Sequence, residues 1–171
     1  MPGYLVILAN VILCLLPIAV YAQPGPSDAE IKAAIARLGE AKDQNSFELL
    51  YKNPRRSSEL LISSLAPVRR GQYRYDKHPQ VVWNIRALRS LTGLNFRATT
   101  NSKLDDDESH FLDLNAKREV HFFGTWMSRD RVWVAPLDAQ TAIIGKWREW
   151  FKKRGQTFPY VNDPNPDRWY F

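Results

Sequence analysis

The chain has 171 residues, 44% of them apolar, a formal net charge of +6 and one cysteine. A single cysteine excludes a disulfide within the chain, so the fold must rest on its core, for which about 150 residues suffice. The charge is carried by 24 Lys and Arg against 18 Asp and Glu, which points to an anionic partner or to a solvated basic face.

Leu5 to Ala22 is almost unbroken apolar sequence without a charge, interrupted by Asn10 and Pro17. Val20-Tyr21-Ala22 offers the small residue that a signal peptidase prefers at its cleavage site. Residues 1–22 are therefore expected to be a signal peptide and the protein to be exported, periplasmic or secreted. The alternative is a membrane anchor over residues 5–22, since the run is near the ~18-residue lower limit for spanning. Cys14 lies inside this segment, and Leu13 before it is too large for a lipoprotein signal. Cleavage would leave no thiol for catalysis or metal binding.

Residues 23–26 read as a stiff Pro-rich linker, and residues 27–155 as one compact domain. Ser27-Asp28-Ala29-Glu30 matches a capping box, and Ile31, Ala34, Ile35 and Leu38 follow at helical spacing up to Gly39. Phe47, Leu50 and Tyr51 predict a short second helix, opened by Asn45 or Ser46 and closed by Asn53-Pro54. Ser57 or Ser58 is expected to cap a third helix through Leu60, Leu61 and Leu65. The connection from Val68 to His78 alternates Tyr and Arg; either it forms a contact surface, or Tyr73 and Tyr75 fold back while Arg69, Arg70 and Arg74 stay wet.

The central helix is the clearest. Pro79 suits its first turn, Gly93 its end, and Val81, Val82, Ile85, Leu88 and Leu91 share one side. The opposite side is expected to offer Trp83, Arg86 and Arg89. Arg97 to Glu108 reads as a polar loop. Val120, Phe122, Phe123, Trp126, Val132, Trp133 and Val134 predict a β-hairpin over about 118–136, turning at Ser128 to Arg131. Asp138 is expected to open the last helix, with Ile143, Ile144, Trp147, Trp150 and Phe151 on its apolar face and Gly155 at its end. Of Trp126, Trp133, Trp147 and Trp150, either Trp126 or Trp133 is expected to be the exposed one, and the rest to form an aromatic mini-core. Residues 156–171 form a tail rich in Pro and aromatic residues, whose Trp169-Tyr170-Phe171 either folds back or binds a partner.

From Lys52 to Arg97 the block Arg55, Arg56, Arg69, Arg70, Arg74, Lys77, Arg86 and Arg89 faces only Glu59 and Asp76. Trp83, Arg86 and Arg89, with Arg69, Arg70 and Arg74, are therefore the candidate partner-binding residues. A protein or an anionic envelope polymer fits such a surface; nucleic acid is a poor match for an exported chain. No Gly-rich phosphate loop, dinucleotide fingerprint or G-x-S-x-G is present, and no catalytic residue, metal site or cofactor is assigned. The competing reading is a small metal-dependent envelope hydrolase using Asp105 to Glu108, His110 and His121. The acidic run lacks the glycine of a calcium loop and any H-E-x-x-H spacing.

The helix pair from Ser57 to Gly93 resembles a HEAT-type repeat. Val81, Ala87-Leu88 and Leu91-Thr92-Gly93 resemble that family's V-x-x-A-x-x-A-L-x-x-L-x-G helix, with Asn84, followed by Ile85, at the place of the usual small residue. The resemblance implies a mainly α fold of antiparallel helix pairs, with the hairpin and a C-terminal capping helix added. It implies a non-enzymatic scaffold or adaptor.

Overall fold

The structure, a computed structural model, describes residues 25–39, 44–74, 78–103, 119–125 and 131–161. It is mainly α, with two small antiparallel sheets. Helix α1 spans Asp28–Arg37 and starts on the capping box: Ser27 Oγ accepts from the Glu30 N–H at 3.3 Å, and the Ser27 N–H donates to Glu30 Oε2 at 2.8 Å. Ile31, Ala34 and Ile35 turn inward from it. Helix α2, Gln44–Lys52, opens one residue before Asn45 and buries Phe47, Leu50 and Tyr51.

Helix α3, Pro54–Ser63, corrects the expected cap. It begins at Asn53, whose side-chain oxygen accepts from the Arg56 N–H at 3.3 Å, with Pro54 in the first turn. Asn53-Pro54 therefore ends one helix and starts the next. Ser57 and Ser58 lie inside α3 and are fully buried, the Ser57 hydroxyl donating to the Leu50 carbonyl at 2.9 Å. The Arg56 guanidinium ties α3 to the start of α1, donating from Nε to Asp28 Oδ1 at 2.7 Å and from its terminal nitrogens to Asp28 and Glu59.

Helix α4, Gln80–Thr92, ends on Gly93 in the left-handed conformation at φ 68°, whose N–H donates to the Arg89 carbonyl at 2.7 Å. Ten of its 13 residues are buried, Arg86 among them. A helix covered almost all round is an axle, not the one-sided helix expected from its apolar stripe. Polar contacts suit that position: the Tyr51 and Ser90 hydroxyls bond each other, and Asn84 Nδ2 donates to Ser64 Oγ at 2.9 Å.

Two segments expected to be loops are short strands. Strand β1, Gly71–Arg74, lies within the Tyr/Arg connection, and β2, Arg97–Thr99, follows α4. The expected hairpin is present in part. Strand β4, Phe123–Thr125, pairs with β5, Arg131–Val134, and β1 pairs with the other side of β5. Strand β3, Glu119–His121, instead pairs with β2 in a separate sheet. Phe122 marks the switch between sheets, and its carbonyl still accepts from the Ala135 N–H at 2.9 Å. Strand β5 is thus central, which buries Trp133 to 1% exposure, so of the two tryptophans expected to supply the exposed indole Trp133 does not. Trp126 lies outside the described residues.

Helix α5, Leu137–Trp150, runs on through a π-helical turn, Phe151–Gly155. Gly155 is required there by close approach, since a Cβ would come within 2.3 Å of the Phe151 ring. Beyond the turn the chain folds back: Trp150 stacks edge-on against Phe158 and Tyr160, and the Val161 N–H donates to the Leu91 carbonyl at 2.9 Å. Trp169 to Phe171 fall outside the described residues. Buried side chains of α1 to α5 and of β2 to β5 form one continuous core. No helix among the described residues is long and apolar enough to cross a membrane.

Candidate anion-binding surface

The six candidate partner-binding residues separate into two groups. Arg69, Arg70 and Arg74 belong to the β1 edge; Arg69 and Arg74 are exposed and Arg70 is half-buried. Tyr73 lies half-buried against the core, and its hydroxyl donates to the Arg69 carbonyl at 2.6 Å. Pairing of β1 with β5 sets Arg74 directly opposite Arg131, which is also exposed. Like charges in register across a strand pair repel. Arg131 escaped the sequence reading because nothing in the chain announces that β1 pairs with β5.

Trp83, Arg86 and Arg89 form the second group, and they are not displayed on an open helix face as expected. Arg86 is only 5% exposed, while Trp83 and Arg89 are half-buried. The reason is β4, which packs Phe123 over this side of α4. The Arg86 guanidinium carbon sits 4.8 Å from the Trp83 ring centre and 5.3 Å from that of Phe123; Arg89 sits 4.8 Å from Phe123. Guanidinium groups held on aromatic faces gain from the ring quadrupole and lose mobility. The Trp83 indole in turn rests on Gly39, where a Cβ would stand 2.6 Å from its Nε1, and meets the His78 ring at 5.6 Å.

Arg89 Nε donates to Asn95 Oδ1 at 2.7 Å. Among the described residues no carboxylate pairs with it. Burial, then the nearby charges of Arg86 and Arg97, push its pKa down to about 10. Arg97 begins β2 and lies directly opposite His121 of β3. Phe123 and Asn95 complete a cluster of which the sequence suggested only the α4 members. Arginines three apart on a helix are legible; the strand that closes over them is not.

For the competing reading, Asp105 to Glu108 and His110 lie outside the described residues, and His121 is half-buried beside Arg97. Among the described residues no three His, Cys, Asp or Glu side chains converge as metal ligands would. Compared with protein-family models, with curated proteins and with solved structures, the chain matches none.

Proposed function

We propose that the protein is an exported, non-enzymatic adaptor that receives an acidic, extended segment of a partner protein along its β1 edge. The carrying observation is the register that sets Arg74 opposite Arg131, with Arg69 exposed just before the strand. An acidic strand laid beside β1 would meet a surface rich in exposed cations, with charges of the complementary sign. Among the described residues β1 is an edge strand of the order β1-β5-β4, and the proposed segment adds along that edge. A scaffold of HEAT-like helix pairs belongs to the same proposal; it is supported by the packing of α1 on α2 and of α3 on α4.

The test is binding of the purified chain to poly-glutamate peptide, across a salt series, by wild type and by the variant Arg69→Glu/Arg74→Glu/Arg131→Glu. Wild type is expected to bind with affinity that falls as salt rises, and the variant to bind at least about tenfold more weakly. Equal binding by the two proteins would sink the reading. Binding to an anionic polysaccharide but not to the peptide would replace the protein partner with an envelope polymer.

A further inference from the structure

We infer that the π-helical turn Phe151–Gly155 and the loop after it, residues 156–161, form a docking surface for an anionic lipid membrane. This surface belongs to the end of α5 and the segment beyond it, not to the β1 edge, and stands independently of the reading above.

Charge is the first observation. From Lys146 to Val161 the sequence has five cations, Lys146, Arg148, Lys152, Lys153 and Arg154, against one carboxylate, Glu149. All five cations are exposed. Lys153 pairs with Glu149 at 2.6 Å, while Lys146 and Arg148 donate to the neutral carbonyls of Arg97 and Leu65. Among the described residues Lys152 and Arg154 pair with no carboxylate.

The loop is the second. Cations in a last helical turn oppose the helix dipole, but the dipole accounts for nothing beyond that turn. Residues 156–161 carry no charge; Gln156, Thr157 and Pro159 are exposed, and Phe158 and Tyr160 half-buried. Phe158 and Tyr160 meet edge-on at 5.4 Å, over the half-buried Trp150. The Thr157 N–H donates to the Arg154 carbonyl at 3.1 Å and the Tyr160 hydroxyl to the Gly155 carbonyl at 2.8 Å. A loop pinned in this way loses little freedom on docking.

The two together select the partner. An acidic protein or a soluble polyanion would use the cations alone. An uncharged aromatic loop beside a basic turn suits the boundary between headgroups and acyl chains, where aromatic rings settle and Lys and Arg stems reach back to the headgroups. Anionic headgroups attract each nearby cation, and salt screens that attraction.

The experiment is co-sedimentation of the whole chain with vesicles of phosphatidylcholine alone, and of phosphatidylcholine mixed equally with phosphatidylglycerol, over a salt series. The quantity read is the gain in binding when phosphatidylglycerol is added, so any partition of the apolar residues 5–22 into both vesicles drops out. Wild type is expected to gain at least about tenfold, and less as salt rises. Lys152→Glu/Arg154→Glu is expected to cut that gain about tenfold. Pro159→Asp, which sets a negative charge in the exposed loop, is expected to cut it about threefold or more. All three positions are exposed, and circular dichroism checks that both variants stay folded. Equal binding of wild type to the two vesicles would overturn the proposal, as would an undiminished gain in either variant. The β1-edge variant Arg69→Glu/Arg74→Glu/Arg131→Glu is expected to keep the gain; losing it equally would mean that net charge alone is read, and the docking surface would fall. A loss of poly-glutamate binding in Lys152→Glu/Arg154→Glu as large as its loss of vesicle binding would give the turn to an acidic protein and also overturn the proposal.

Discussion

Asp138 stands in the first turn of α5, where a negative charge meets the positive end of the helix dipole. Its carboxylate also gathers the strand exit after β2, accepting from the Thr100 hydroxyl at 2.9 Å, the Asn101 N–H at 2.9 Å and the Ser102 hydroxyl at 3.3 Å. Burial pushes this carboxyl up, but the hydrogen bonds from Asn101, Thr100, Ala139 and Ser102 together outweigh it, leaving the group below its ordinary value of 3.8. The unfolded chain therefore binds the proton more readily than the folded one. Stability from Asp138 is complete above the ordinary carboxylate range and is lost as pH falls through the lowered value. Asp138 is exposed, so solvent screening keeps the effect small. Asp138→Asn is expected to cost about 0.5–1 kcal/mol at neutral pH. Urea denaturation at neutral and at acid pH checks this: the gap between variant and wild type should close on the acid side, and a constant gap would refute the charge argument.

Among the elements, β1 depends most on a single side chain. Gln140, fully buried on α5, donates to the Val68 carbonyl at 2.9 Å and to the Ala135 carbonyl at 2.6 Å, and accepts from the Val68 N–H at 2.8 Å. One amide thus clips the chain entering β1 to the chain leaving β5. Leucine at this site would strip the buried Ala135 carbonyl and the half-buried Val68 N–H and carbonyl of this partner. Gln140→Leu is expected to destabilise by about 2 kcal/mol or more. Amide exchange is the sharper readout: protection should fall in Gly71–Arg74 and stay unchanged in α1. A uniform loss of protection would show that Gln140 supports the whole core instead.

Elements held by local chemistry could be read from the sequence, and those held by distant pairing could not. The capping box at Ser27 and the Pro79 and Gly93 boundaries of α4 were legible because capping is decided within four residues. Asn53-Pro54 is also local, but it carries a stop and a start signal at once, and the stop alone points to a later cap at Ser57 or Ser58. Strands β1 and β2 are short, and their partners lie far along the chain. Nothing in Gly71–Arg74 distinguishes an edge strand from a loop. The same limit governed the candidate site. Arg86 and Arg89 stood out by their spacing, while their burial depended on Phe123 arriving from β4.

At the scale of the whole molecule, the sheets share the helices' core, and among the described residues they have no separate one of their own. Val120, Phe122, Val132 and Val134 belong to the same buried cluster as Leu50, Leu61 and Leu88, and a sheet of two or three short strands has little stability alone. Helix α4 lies inside this cluster, so its loss should take helices and sheets together. Leu88, fully buried on α4, is the residue on which to test this. Leu88→Ala removes buried apolar volume and is expected to cost about 2–5 kcal/mol. Unfolding followed by far-ultraviolet circular dichroism reports the helices. Tryptophan fluorescence reports tertiary packing through all six tryptophans at once, among them Trp83 on α4 and the fully buried Trp133 on β5 and Trp147 on α5. If one core holds everything, the two midpoints coincide in wild type and shift by the same amount in the variant. Midpoints that separate would mean that tertiary packing around the tryptophans is lost apart from the helices, and a single cooperative core would be refuted; amide exchange in Gly71–Arg74 and Arg131–Val134 would then tell whether the sheet is the unit that leaves first.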